Sequence, residues 1–136
     1  MRSVVVPVYR NEPTLPELLR QISELYQRVS QPFEVVFVVD GSPDNSYALL
    51  KLRLVEMPFP SQLISLSRNF GSFAAIRAGM AHAKGEFVAV LAADLQQPVS
   101  SVDEFFSVLE RGADIVIGQR KSRDDPWFSR LASNTF

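Results

Sequence analysis

The chain is 136 residues long, 46% apolar and 21% charged, with a formal net charge of −1. That balance predicts one globular domain with one core, and it excludes a disordered segment or a basic nucleic-acid footprint. The absence of cysteine and the single histidine, His82, exclude disulfides, thiolate zinc, a cysteine nucleophile and a multi-histidine metal site.

Ser3–Tyr9 predicts a first strand of β-branched residues around Pro7. Thr14, with Glu17 three residues on, has the spacing of a capping box. Leu15, Leu18, Leu19, Ile22, Leu25 and Tyr26 follow at helical spacing to about Val29. Phe33–Val39 is a second strand, closed by the turn cluster Asp40–Ser46, where Asn45 or Ser46 is placed to cap a helix through Leu54. Gln62–Leu66 predicts a third strand. An alanine-rich helix follows over Phe73–Ala83, with Gly79 inside it and Gly85 ending it. Phe87–Ala93 is an unbroken apolar run, a fourth strand covered on both faces. Ser100 or Ser101 then caps a helix to Leu109, and Asp114–Gly118 predicts a fifth strand. Gln119–Pro126 is a polar loop, either a solvated surface or a lid. Trp127, Phe128, Leu131 and Phe136 have the spacing of a helix that stops without a cap, so the chain reads as part of something longer.

Alternating strands and helices predict an α/β fold with a mostly parallel sheet flanked by helices. All loops after strands then leave one edge and converge on a cleft. No run reaches the ~18 apolar residues of a membrane span. One arginine and a short apolar run before Pro7 are too little for a signal peptide. A cytoplasmic location is the expectation.

The residues at that edge point to a nucleotide. Gly-x-Gly-x-x-Gly and the Gly-Lys-Ser/Thr phosphate loop are both absent, which removes the signatures of dinucleotide oxidoreductases and P-loop enzymes. Asp94 either caps the next helix or holds a divalent cation against a diphosphate, with Gln96 as a neutral oxygen ligand. Asp40 is suited to hydrogen-bond a ribose or base. Tyr9 and Phe70 are core aromatics or pocket walls. Asp44 fits an Asx turn, and His82 fits a surface position.

Val4–Glu12, Val39–Ser46, Ser67–Ser72, Ala92–Pro98 and Ile117–Arg120 together resemble the signatures of family-two inverting glycosyltransferases, in particular the dolichol- and polyprenyl-phosphate subgroup. The resemblance spans nearly the whole chain. It implies a GT-A (Rossmann-like) fold, a UDP- or GDP-sugar donor, Mg²⁺ or Mn²⁺, and a lipid-phosphate acceptor. It makes residues 1–136 the nucleotide-sugar-binding, N-terminal part of a longer catalytic domain.

Carried over residue by residue, it implies that Pro7, Tyr9, Glu12, Asp40 and Arg68 bind the nucleotide-sugar. Asp94 and Gln96 would hold the metal. Asp94 and Arg120 would serve catalysis, and Arg120, Arg130 and Ser133 would meet the acceptor phosphate. Ala92 stands where the family usually has an aspartate, and Gln97 where it often has another, which weakens a hard-cation site. A non-catalytic nucleotide-sugar-binding relative and a transferase acting on a glycan hydroxyl are the alternatives. Membrane contact is expected from residues beyond 136 at the cytoplasmic face of a membrane, and a homo-oligomer is compatible with the sequence.

Overall fold

A computed structural model describes residues 1–119. In chain order it contains β1 (Arg2–Val8), α1 (Leu15–Arg28), β2 (Phe33–Val39), α2 (Ser46–Arg53), β3 (Ser61–Ser65), α3 (Ser72–His82), β4 (Phe87–Val90) and α4 (Ser101–Glu110). All strand pairs are parallel, in the order β3-β2-β1-β4. The chain therefore steps outward from β1 to β3, then crosses back to the far side of β1. The point where the order reverses lies between β1 and β4, where open α/β sheets form their ligand crevice.

Strand alternation divides the core. Val4, Val6 and Val8, with Val35, Phe37 and Val39, face a layer containing α1, α2 and α4. Val5, Val36 and Val38 face α3 through Ala75. Each fully buried leucine of α1 contributes roughly 2 kcal/mol. Gly79 explains itself here: a Cβ would lie 2.4 Å from Cγ1 of Val5, so the glycine lets α3 sit close on the sheet. Pro7 is tolerated in a central strand because the β1–β4 ladder ends at Val5↔Val90. Its missing N–H falls beyond the last pair on that side.

At the edge opposite the ligand crevice, buried Glu34 accepts hydrogen bonds from the Ser3 hydroxyl (2.7 Å), the Lys84 N–H (2.6 Å) and the Gln62 amide (3.2 Å). Arg2 is only 6% exposed. Its guanidinium grips Glu110 with Nε and Nη2 at 2.7 and 2.8 Å and lies over Phe106, tying β1 to α4. Burial pushes the Glu34 carboxyl up, but the Lys84, Ser3 and Gln62 hydrogen bonds outweigh it and leave its pKa lowered. A carboxyl lowered in the folded state stabilises above its unfolded pKa, and that contribution is lost as pH falls through the folded value. Glu34→Gln is expected to lose about 2 kcal/mol at neutral pH. Urea unfolding at acid pH should show the gap to wild type closing.

Several sequence expectations are corrected. The segment Asp114–Gly118 is not a strand; Ile115 and Ile117 are 78% and 75% exposed. No ladder partner lies beside it among the described residues, and β-branched content alone does not make a strand. Thr14 does not cap α1 with its side chain, so no capping box forms. The Asn11 carbonyl instead receives the Thr14 and Leu15 amides, and Glu17 pairs with Arg20. Asn45, Ser100 and Ser101 likewise make no side-chain cap bond: Ser101 donates its hydroxyl to the Pro98 carbonyl. The fourth strand stops at Val90, with Leu91 making one further bond to Val5 before the chain turns toward the crevice. The polar loop beyond Gln119 and the expected helix Trp127–Phe136 lie outside the described residues.

Candidate active site

Four loops leave the carboxyl ends of β1 to β4, and each is fastened to a neighbour. In the first, the Arg10 N–H donates to Oγ of Ser42 (2.8 Å) and the Glu12 N–H to Asp44 (3.3 Å). Glu12 returns the contact by accepting the Asn45 N–H (3.1 Å). Thr14 donates its hydroxyl to the Ala93 carbonyl (2.6 Å), joining the first loop to the fourth.

Asp40, 3% exposed, accepts the amides of Phe70 (2.8 Å) and Gly71 (3.0 Å), one on each carboxylate oxygen, and so latches the third loop to the second. Gly41 follows at φ +59, where a Cβ would stand 2.2 Å from the Arg68 carbonyl carbon and 2.4 Å from the Asn69 nitrogen. Only glycine fits that corner. Asp44 closes the expected Asx turn by accepting the Ser46 N–H (3.1 Å). Burial raises its carboxyl, yet hydrogen bonds from Ser42 and from the Ser46 and Glu12 amides leave it lowered.

Between the ends of β1 and β4 these loops enclose a cleft of about 300 Å³, lined by Pro7, Tyr9, Asp40, Asn69, Gly71 and Asp94 among others. Asp94 is exposed, and its Oδ1 accepts the Gln96 N–H (3.1 Å) across Leu95, which takes φ +62. A leucine at that angle is strained by about 1 kcal/mol, a feature that clusters at functional positions. The turn sets the Asp94 side chain at the cleft wall.

Pro7, Tyr9, Asp40 and Asp94 thus come together as the sequence predicts. Tyr9 and Phe70 are exposed rather than core, and His82 is on the surface. Glu12 does not line the cleft; it braces the start of α2 through Asn45. Arg68 is exposed beside the lining residue Asn69, with its guanidinium 4.2 Å above the Phe70 ring. Gln96 is exposed next to Asp94. Arg120, Arg130 and Ser133 lie outside the described residues. Sequence reasoning passed over Asn11, Asn69 and Ser72, all cleft-lining. The signal for the first two was the repeated dipeptide Arg-Asn, at 10–11 and 68–69.

A hard divalent cation takes six or more oxygen ligands. Among the described residues no group of three acids, histidines or cysteines is placed to hold one. Ala92 lines the cleft but has no oxygen side chain, and both Asp40 oxygens already accept amides. These residues do not form a cation site by themselves.

Comparison with known proteins follows the same outline. The profile of Glycosyl transferase family 2 matches residues 3–135. The undecaprenyl-phosphate 4-deoxy-4-formamido-L-arabinose transferase of Serratia proteamaculans is 37% identical over 96% of this chain, and that of Aeromonas hydrophila is 38% identical over 96%. The chain spans 40% of the length of these relatives. Among solved structures, the Pyrobaculum calidifontis mannosyltransferase PcManGT, in complex with GDP-Man and Mn²⁺, superposes with a TM-score of 0.70 at 26% identity. That match covers 90% of this chain and 36% of the other. Staphylococcus aureus TarS superposes with a TM-score of 0.66 at 23% identity, covering 81% and 32%, a likeness of fold. The parallel sheet and its flanking helices are those of the GT-A fold, and the chain belongs to glycosyl transferase family 2.

Proposed function

We propose that the chain is the donor-binding, N-terminal part of the catalytic domain of a transferase that moves a sugar from a UDP- or GDP-sugar to a polyprenyl phosphate. The carrying observation is the cleft at the β1–β4 switch point, where Pro7, Tyr9, Asp40 and Asp94 converge. The names of the relatives, which cover 96% of the chain, support the acceptor class. An oxygen of the acceptor phosphate attacks the anomeric carbon from the face opposite the donor diphosphate. The new C–O bond forms as the old one breaks, and the diphosphate leaves with the electron pair, inverting the centre. A phosphate acceptor is already ionised, so it needs little help from a general base.

The described residues bind and orient. Pro7 and Tyr9 wall the nucleoside, Asp40 fixes the loop beneath it and offers its remaining lone pairs, and Asp94 faces the diphosphate end. Where the donor diphosphate carries a Mg²⁺ or Mn²⁺ ion, Asp94 would be the carboxylate that holds it, with Gln96 beside it, and the ion would neutralise the leaving diphosphate. Arg120, Arg130 and Ser133 are assigned to the acceptor phosphate. No described helix is long and apolar enough to cross a membrane. The polyprenyl-phosphate acceptor in the relatives' names supports action of the whole protein at a membrane.

Full-length protein given radiolabelled UDP- and GDP-sugars, polyprenyl phosphate and Mn²⁺ should transfer label into extracted lipid. A nucleotide-sugar should raise the melting temperature chiefly when the cation is present. Ala92, which leaves Asp94 without a second carboxylate, favours one other reading, a non-catalytic sugar-nucleotide binder. Nucleotide binding indifferent to metal, with no labelled lipid, would establish it.

A further inference from the structure

We propose that Arg10 and Arg68 form a paired guanidinium clamp for the donor's diphosphate, with Arg10 a binding residue in its own right; this rests on the donor reading above. The two loops repeat one device. In each, an Arg-Asn pair places the asparagine on the cleft wall. That asparagine's Oδ1 accepts a nearby backbone amide, Tyr9 N–H to Asn11 at 2.9 Å and Gly71 N–H to Asn69 at 3.1 Å. In each, the arginine stacks on the aromatic beside it, Arg10 over Tyr9 at 5.4 Å and Arg68 over Phe70 at 4.2 Å. Stacking holds a guanidinium in place while leaving its in-plane donors open to an anion.

Both arginines are exposed, and among the described residues the ion pairs belong to Arg2 and Arg20 rather than to these two. Their backbones meet at one corner. The Arg10 N–H bonds Ser42, and Gly41 next to it abuts the Arg68 carbonyl carbon. Arg10 also takes φ +55, a conformation that glycine or asparagine would adopt more easily. Retaining an arginine there opposes local backbone preference, the pattern expected when the side chain has a ligand to meet.

The charge balance of the cleft agrees. A diphosphate is multiply negative, Asp94 is a further negative charge, and Ala92 supplies no second cation-holding carboxylate. Arg10 stacks on the cleft-lining Tyr9, and Arg68 precedes the cleft-lining Asn69; each guanidinium would offset part of the diphosphate charge and can form a two-bond fork with a phosphate.

The test is calorimetric titration of the full-length protein with UDP and GDP, and with uridine and guanosine, each with and without Mn²⁺. Arg10→Gln and Arg68→Gln should each weaken whichever nucleoside diphosphate binds by about tenfold or more, while leaving the nucleoside unchanged. The effect should shrink at high salt. Arg10→Gly should raise the melting temperature by relieving the backbone and still show the loss of diphosphate affinity. Equal losses for diphosphate and nucleoside, or unchanged diphosphate affinity in the Arg10 variants with wild type binding normally, would overturn the clamp and leave the donor reading standing. Failure of wild type to bind either nucleotide would overturn both.

Discussion

Asp94→Asn is expected to lower sugar transfer by about two to three orders of magnitude while the protein folds and melts as before. The reasoning is local. The Asx turn that shapes the loop uses one acceptor, the Oδ1 of Asp94 bonded to the Gln96 N–H. Asparagine retains that acceptor, so the backbone around Leu95 keeps its conformation. What disappears is the negative charge, and with it the one protein carboxylate assigned to the diphosphate-bound cation. Donor affinity with Mn²⁺ should therefore fall toward the metal-free value, while affinity without metal stays near that of wild type. An unchanged transfer rate would show that Asp94 serves the loop alone.

Gly41→Ala should destabilise the protein by about 3 kcal/mol and remove nucleotide binding with it. Two penalties add. An alanine at φ +59 is strained, and its Cβ would stand 2.2 and 2.4 Å from backbone atoms of Arg68 and Asn69, which have no side-chain freedom to yield. Relieving the clash moves the third loop away from Asp40, freeing the Phe70 and Gly71 amides. Gly112 is the control. It also has positive φ, but nothing lies within 4 Å of its Cβ position, so Gly112→Ala should cost about 1 kcal/mol and leave binding intact. Denaturant melts of the two variants, with UDP and GDP titrations, separate crowding from backbone preference.

Local signals carried most of the architecture. Short apolar runs such as Val4–Val8 and Phe33–Val39, each ended by polar or turn residues, pair as β1 and β2 in the register of a buried parallel sheet. The same reasoning failed at Asp114–Gly118, where the composition is strand-like but a strand is made by a neighbour, and sequence does not name neighbours. The caps failed for a related reason. Thr14 and Asn45 have the chemistry to cap, but their backbones (φ −96, ψ −18 and φ −89, ψ 20) are not the extended conformation that turns an N-cap oxygen toward the first-turn amides. The loop backbone, set by contacts with other loops, decided against the local signal.

At the site, the convergence of Asp40 and Asp94 was legible from topology alone. Their difference was not. Asp40 is a buried latch whose two oxygens each hold an amide, while Asp94 stands open at the cleft, and only the three-dimensional meeting of the second and third loops separates them. Glu12, assigned to the nucleotide by resemblance, also accepts the Asn45 N–H at the start of α2, a contact sequence does not name.

The central claim is that the four strand-end loops form one donor site. Hydrogen exchange of the full-length protein, with and without its nucleotide-sugar and Mn²⁺, tests it most directly. Protection should rise together in 9–12, 40–46, 68–72 and 92–97. Protection confined to one loop, or appearing instead at the separate cleft between α1 and the segment before α4, lined by Arg20, Arg28 and Ser100, would contradict it.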